Sequence, residues 1–186
     1  MLELDDAARA RTDALLSDAE AVSDDYRIVR WTMSAPAEHV DGYAWMKSRM
    51  STDAPSADLD SDEEAWNAGR VRRMERREAE AGHVVQVTAA QHIATGDLAA
   101  FSELGIGSDG SATATQRDTL VLREHRGHGL GLRVKCEALR SWHEIAPASR
   151  RIITYNAEEN RPMLAINEAL GFTPRAVEGA WRKDLS

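Results

Sequence analysis

The sequence predicts an α/β domain of the α+β kind: a mixed, mostly antiparallel sheet of about six to seven strands with flanking helices. Three observations predict it. Strand-like and helix-like patterns follow one another along 186 residues in the order β-α-α-β-β-β-α-β-α-β-β. Residues 83–123 contain three strand-like runs separated by short turn-forming stretches, as an antiparallel meander requires. A strand ending near residue 123, a helix of crossover length and a strand starting at 151 should then lie with the two strands parallel and adjacent.

Taken in order, residues 3–22 alternate acids with Ala and Leu and predict an N-terminal helical arm spanning 1–25, ahead of one domain over 26–186. Residues 26–33 (Tyr-Arg-Ile-Val-Arg-Trp-Thr-Met) read as the first strand, and 40–50 as a helix through Val40, Tyr43, Ala44, Met46 and Lys47. A Ser-, Asp- and Ala-rich loop follows, and Ser61-Asp62-Glu63-Glu64 should cap a helix running to about Ala81 and closed by Gly82. The arginines on that helix alternate with acids, the pattern of a solvated, ion-paired face. Strands over 83–93 and 98–106 flank a turn at 94–97, and a third covers 114–123. Helical spacing of Leu132, Cys136, Leu139 and of Val134, Ala138, Trp142 predicts a broadly buried helix from Leu130 to about Ile145. Residues 151–155 form a short buried strand. Asn160, Arg161 and Pro162 open a helix that Gly171 ends. Residues 172–176 and 180–183 are expected to form a terminal hairpin.

Composition bounds the function. Apolar residues make up 42% and charged residues 29%, a globular balance, and no apolar run approaches the length of a membrane span. The N-terminus lacks the basic and apolar regions of a signal peptide and Cys136 is the single cysteine, so a cytoplasmic protein is expected. The net charge of −8 resides in residues 1–82, where nineteen acids face eleven Lys and Arg; residues 83–186 carry twelve of each. That acidity disfavours nucleic acid and suits a cationic, amine-bearing partner, although it also serves solubility.

The most informative stretch is Arg126-Gly127-His128-Gly129-Leu130-Gly131, where a strand turns into a helix. Glycines admit close approach of an anion, the helix start offers free N–H groups, and Arg126 adds charge. Alone it is equally a tight connection. A second stretch lies downstream, from Asn156 and Asn160 through Asn167 to Leu170-Gly171-Phe172. The two together, with a parallel strand between them, resemble the acyl-CoA loop and the later signature of the GCN5-related N-acetyltransferases (GNAT) over about residues 26–185.

The resemblance implies a GNAT fold whose sheet splays at the cofactor cleft and whose co-substrate is acetyl-CoA, with no metal. The pantetheine arm would pair with the backbone of Leu120, Val121 and Leu122. Arg126, Gly127, His128, Gly129, Leu130 and Gly131 would hold the pyrophosphate, and Asn156, Asn160 and Arg161 would face the cofactor from the far side. Asn160 also suits a plain N-cap. The implied reaction is direct attack of a primary amine of a small molecule on the thioester. The amine must lose a proton, and Asp118 is the first candidate base, Glu103 the second. Many relatives carry a Tyr acid where this chain has Asn167, which can hydrogen-bond a thiolate but not protonate it; Tyr155 could substitute. The alternatives are a non-catalytic acyl-CoA-binding domain or a peptide or protein N-acetyltransferase. The expected partners are a small amine, no nucleic acid and no membrane, with a homodimer left open. His125 and His128 lack the neighbouring ligands that a metal site needs.

Overall fold

The computed structural model describes residues 1–53, 65–109 and 112–179. The elements are β1 (Leu2–Glu3), α1 (Asp6–Glu20), β2 (Tyr26–Thr32), α2 (Val40–Asp53), α3 (Ala68–Glu80), β3 (Val84–His92), β4 (Leu98–Ile106), β5 (Thr113–Val121), α4 (Leu130–Ile145), β6 (Arg151–Ile153) and α5 (Arg161–Leu170). A single turn of 3-10 helix, Arg123–His125, links β5 to α4.

The strands form one sheet in the order β1-β6-β5-β4-β3-β2. Every pairing is antiparallel except β5 with β6, which is parallel, as the crossover through α4 requires. β3 and β4 are buried along almost their whole length because helices cover both faces. On one face α2 and α3 pack Tyr43, Met46 and Val71 against Phe101, Leu120 and Leu122. On the other, α1, α4 and α5 pack Leu16, Trp142 and Leu170 against Leu104 and Ile152. Cys136 is fully buried there, and burial pushes its thiol up to about 12.

Two features position the site. First, β5 and β6 stay paired only over Thr113–Thr115 and Arg151–Ile153, then separate; a 3.4 Å bond from Thr154 Oγ1 to the Gln116 carbonyl marks the fork. Second, the β4–β5 ladder is interrupted between Ser102 and Leu104, where β5 carries the extra residue. The bulge turns Arg117 and Asp118 to the same face: Arg117 lies over Gly105, and Asp118 reaches α2.

Several expectations are corrected. The N-terminal stretch expected as an arm is built into the domain. β1 pairs with β6, Leu2, Ala8 and Leu16 belong to the core, and Arg11 donates to the Leu170 carbonyl at 3.3 Å. Residues 172–176 do not form a strand: the free edge of β6 is taken by β1, and Thr173 instead exchanges two backbone bonds with Met1, at 2.7 and 2.9 Å. The partner strand expected at 180–183 and the cap at Ser61–Glu64 lie outside the described residues. The described start of α3 is capped by Asn67, whose side chain accepts from the Arg70 N–H.

Candidate active site

The glycine loop has the form of an anion cradle. Gly127 and Gly129 adopt φ of 89° and 67°, the left-handed region that glycine enters without a Cβ penalty. Gly129 is the N-cap of α4 and no side chain caps that helix, so its first N–H groups are unspent within the helix. Gly131 lies close beneath α5; a Cβ there would meet Ile166 Cδ1 at 3.0 Å and Val121 Cγ2 at 3.4 Å. The loop is anchored to β2 by Tyr26, whose hydroxyl is 2.9 Å from His125 Nδ1 and whose ring is 5.6 Å from that of His128. His92 also contacts this ring, yet the described residues contain no group of three or more His, Cys, Asp or Glu able to hold a metal.

Arg126 is engaged. Its guanidinium donates to the Val121 carbonyl at 3.3 Å and to the Asp53 carbonyl at 3.0 Å, closing the last turn of α2 over the end of β5. Arg123 reinforces this contact by donating to the Thr52 carbonyl and pairing with the buried Asp53 carboxylate at 3.3 Å.

Beyond the fork, the β6 side of β5 is open. Leu122 donates its N–H to the Ala99 carbonyl, so alternation turns the backbone of Leu120 toward β4 as well and that of Thr119 and Val121 toward the gap. Of the three residues expected to bind an arm of the cofactor, only Val121 presents its backbone groups there, and Thr119 joins it. Leu120, Leu122 and Leu130 serve the core through their side chains. The register, invisible before the bulge is located, makes this correction.

The expected far side gathers at the start of α5. Asn160 accepts from the Met163 N–H at 3.3 Å, which is the N-cap role. Asn156 is half-buried, and Arg161 is exposed and 3.7 Å from Glu158. Tyr155 is 67% exposed just past β6. Asn167, within α5, is only 3% exposed, and neither polar atom of its side chain has a hydrogen-bond partner among the described residues.

Asp118 and Glu103 are brought together through Lys47, which the sequence places only on a helix face. Lys47 Nζ lies 2.6 Å from Asp118 Oδ2 and 3.0 Å from Glu103 Oε1. Tyr43, one turn earlier on α2, donates its hydroxyl to the same Glu103 oxygen at 2.5 Å. Burial pushes the Tyr43 hydroxyl well up, with Glu103 adding to the effect, so it stays a donor. Burial works against the Lys47 charge, but the two carboxylates outweigh it and hold its proton affinity above the ordinary value. The side chains of Lys47 and Glu103 are 7% and 4% exposed, whereas that of Asp118 is 42% exposed. The available signal was a Tyr and a Lys four apart on an otherwise apolar helix face.

A parallel strand pair thus forks beside an uncapped, glycine-led helix in a mixed α/β domain. The solved structures that share this fold are GCN5-related N-acetyltransferases. Residues covering 81% of this chain match a tandem GNAT protein from the clavulanic acid biosynthesis pathway at 33% identity and a TM-score of 0.65; the match spans 42% of that longer chain. Two others share the fold. A glucosamine-6-phosphate N-acetyltransferase from Arabidopsis thaliana is 16% identical, with 86% of this chain and 99% of that one covered and a TM-score of 0.58. An aminoglycoside N-acetyltransferase in complex with CoA is 15% identical, with 85% and 95% covered and a TM-score of 0.58. No protein-family model and no curated protein sequence matches the chain. No helix of the described residues is long and apolar enough to cross a membrane.

Proposed function

We propose that the protein is an acetyl-CoA-dependent N-acetyltransferase acting on a primary amine of a small, cationic molecule. The observation that carries this reading is the opened edge of β5, where Thr119 and Val121 have no strand partner among the described residues and Arg126 holds the Val121 carbonyl; it runs from the exposed Asp118 to the glycine cradle. That edge fits an extended amide-bearing arm, which would add to the sheet as a strand does. The first N–H groups of α4 would take the pyrophosphate at the other end.

The chemistry divides among this chain's own groups. Asp118, with one oxygen on Lys47 and the other open, would accept the proton of the incoming ammonium. The N–H of Val121 or Thr119 would donate to the oxygen on which charge develops in the tetrahedral intermediate. The Asn167 amide would donate a hydrogen bond to the departing thiolate, which then takes its proton from water. Glu103, walled in by Tyr43 and Lys47, is given a supporting role. A cytoplasmic location suits both the co-substrate and the free buried thiol.

A second reading, a non-catalytic acyl-CoA-binding domain, is favoured by Asn167 standing where an acid is common. Thiol release from acetyl-CoA across a panel of primary amines separates the two. Amine-dependent release supports transfer; tight binding without release on any amine supports the second. Arg126→Ala should weaken acetyl-CoA binding about tenfold, the loss of one charge-assisted contact. An unchanged dissociation constant removes Arg126 from the cradle and leaves it as a clasp on α2.

A further inference from the structure

We propose that Lys47 is a positioning residue for the acceptor amine: its ammonium holds Asp118 with one carboxylate oxygen turned outward, and Glu103 and Tyr43 exist to hold Lys47. The inference rests on the acetyltransferase reading above and goes beyond it by giving the acceptor seat a composition and a charge.

The geometry is asymmetric. Lys47 is bounded by two carboxylates and by the rings of Trp66, Tyr43 and Phe101 at 5.3, 5.8 and 5.9 Å. Among these neighbours the two carboxylates differ in access: Glu103 is buried on the strand beneath, and Asp118 is the one open to solvent. An ammonium at 2.6 Å fixes the rotamer of a strand carboxylate that would otherwise turn freely in water. Arg117, next to Asp118 in the bulge, cannot do this, because its guanidinium is committed to Glu78 at 2.9 Å.

The charges also matter. Two carboxylates and one ammonium leave the cluster one unit negative, and that excess is presented on the Asp118 oxygen facing out. A site with this balance attracts an ammonium and disfavours an acceptor whose amine adjoins a carboxylate. The substrate class is therefore a primary amine carrying net positive charge.

A purely structural role, in which Lys47 only neutralises Glu103, makes a different forecast. The full chain is assayed with an amine taken from the panel, reading kcat, KM for the amine, the dissociation constant for acetyl-CoA and Tm. Lys47→Met should lower kcat at least tenfold while acetyl-CoA affinity stays within twofold, since the orientation of the base is lost and the cradle is untouched. Lys47→Met combined with Glu103→Gln removes the charge that Lys47 would neutralise, so it should recover Tm but keep the tenfold deficit. In an Asp118→Asn background, Lys47→Met should change kcat by less than twofold, because the two act as one unit. A double variant restored to the wild-type kcat overturns the proposal, as does a further tenfold loss on Asp118→Asn. Wild-type protein that acetylates no amine overturns the transferase reading and the proposal with it, whereas an active wild type with a restored double variant sinks the proposal alone.

Discussion

Among the described residues two lysines are buried, one on each face of the sheet, and they are held in opposite ways. Lys47, on α2, meets two carboxylates and stays charged. Lys135, on α4, is 1% exposed, and its one described companion beyond the helix is the Phe172 ring, 5.5 Å away. Burial alone lowers it to about 7, with only Cys136 in opposition. Depth of burial thus says little about whether a side chain is an ion; the partners within reach decide. The face carrying Lys47 keeps its lysine charged through paired carboxylates, and burial on the face carrying Lys135 favours the neutral amine.

Making Lys47 resemble Lys135 should cost most. Glu103→Leu leaves the ammonium buried against Asp118 alone and strands the Tyr43 hydroxyl. We expect a loss of about 3–5 kcal/mol, the usual result of breaking a buried pair from one side. Urea unfolding followed by tryptophan fluorescence measures it, and a loss below about 1 kcal/mol would mean that Glu103 is not what holds Lys47.

Removing the ill-paired lysine should have the opposite sign. Lys135→Met should stabilise the protein at pH 7 by something on the order of 1–3 kcal/mol, since an apolar chain of similar length fits the same space. The pH dependence sharpens this. The folded-state value of Lys135 lies below its ordinary one, so between pH 7 and about 9 the unfolded chain keeps a proton that the folded protein has shed. Wild-type Tm should therefore rise over that window, until unfolded Cys136 begins to ionise while the folded thiol, held up to about 12, does not. The variant should lack the rise; an equal slope in both proteins would place the titration elsewhere.

The smallest effect should come from Asn160→Ala, which deletes the α5 cap without touching either lysine. A loss of about 1 kcal/mol is expected. Acetyl-CoA affinity measured alongside divides its two roles: a lone drop in Tm marks a cap, and a joint drop in affinity marks a cofactor contact.

What the sequence disclosed follows the same division. The cradle is made from backbone, and backbone conformation is written locally. Gly127 and Gly129 sit where φ turns positive, and Gly171 ends α5 at φ of 91°, so spacing sufficed to find the loop, α4 and α5. The proposed acceptor side is made from side chains on α2, β4 and β5, joined across 56 and 71 residues. No local pattern encodes such a meeting, and Lys47 read simply as one residue of a helix face. The bulge that sends Arg117 and Asp118 the same way is likewise a property of two strands together. β1, two residues long, is too short for any periodicity. Residues 172–176 have strand-like composition, yet the edge they would need is already paired.

The fork between β5 and β6 carries one more consequence. An interior strand ordinarily has neighbours on both sides, but here the peptide groups of Thr119 and Val121, inside a six-stranded sheet, have no strand partner on the β6 side among the described residues. Such a seam is a place where a stray extended segment from another chain could lodge, as happens at unprotected sheet edges. A bound acyl-CoA arm would close it. The same molecule would then be reactant and plug: mass action would favour the sealed domain whenever the thioester is abundant, and chains kept without it should be the first to associate wrongly.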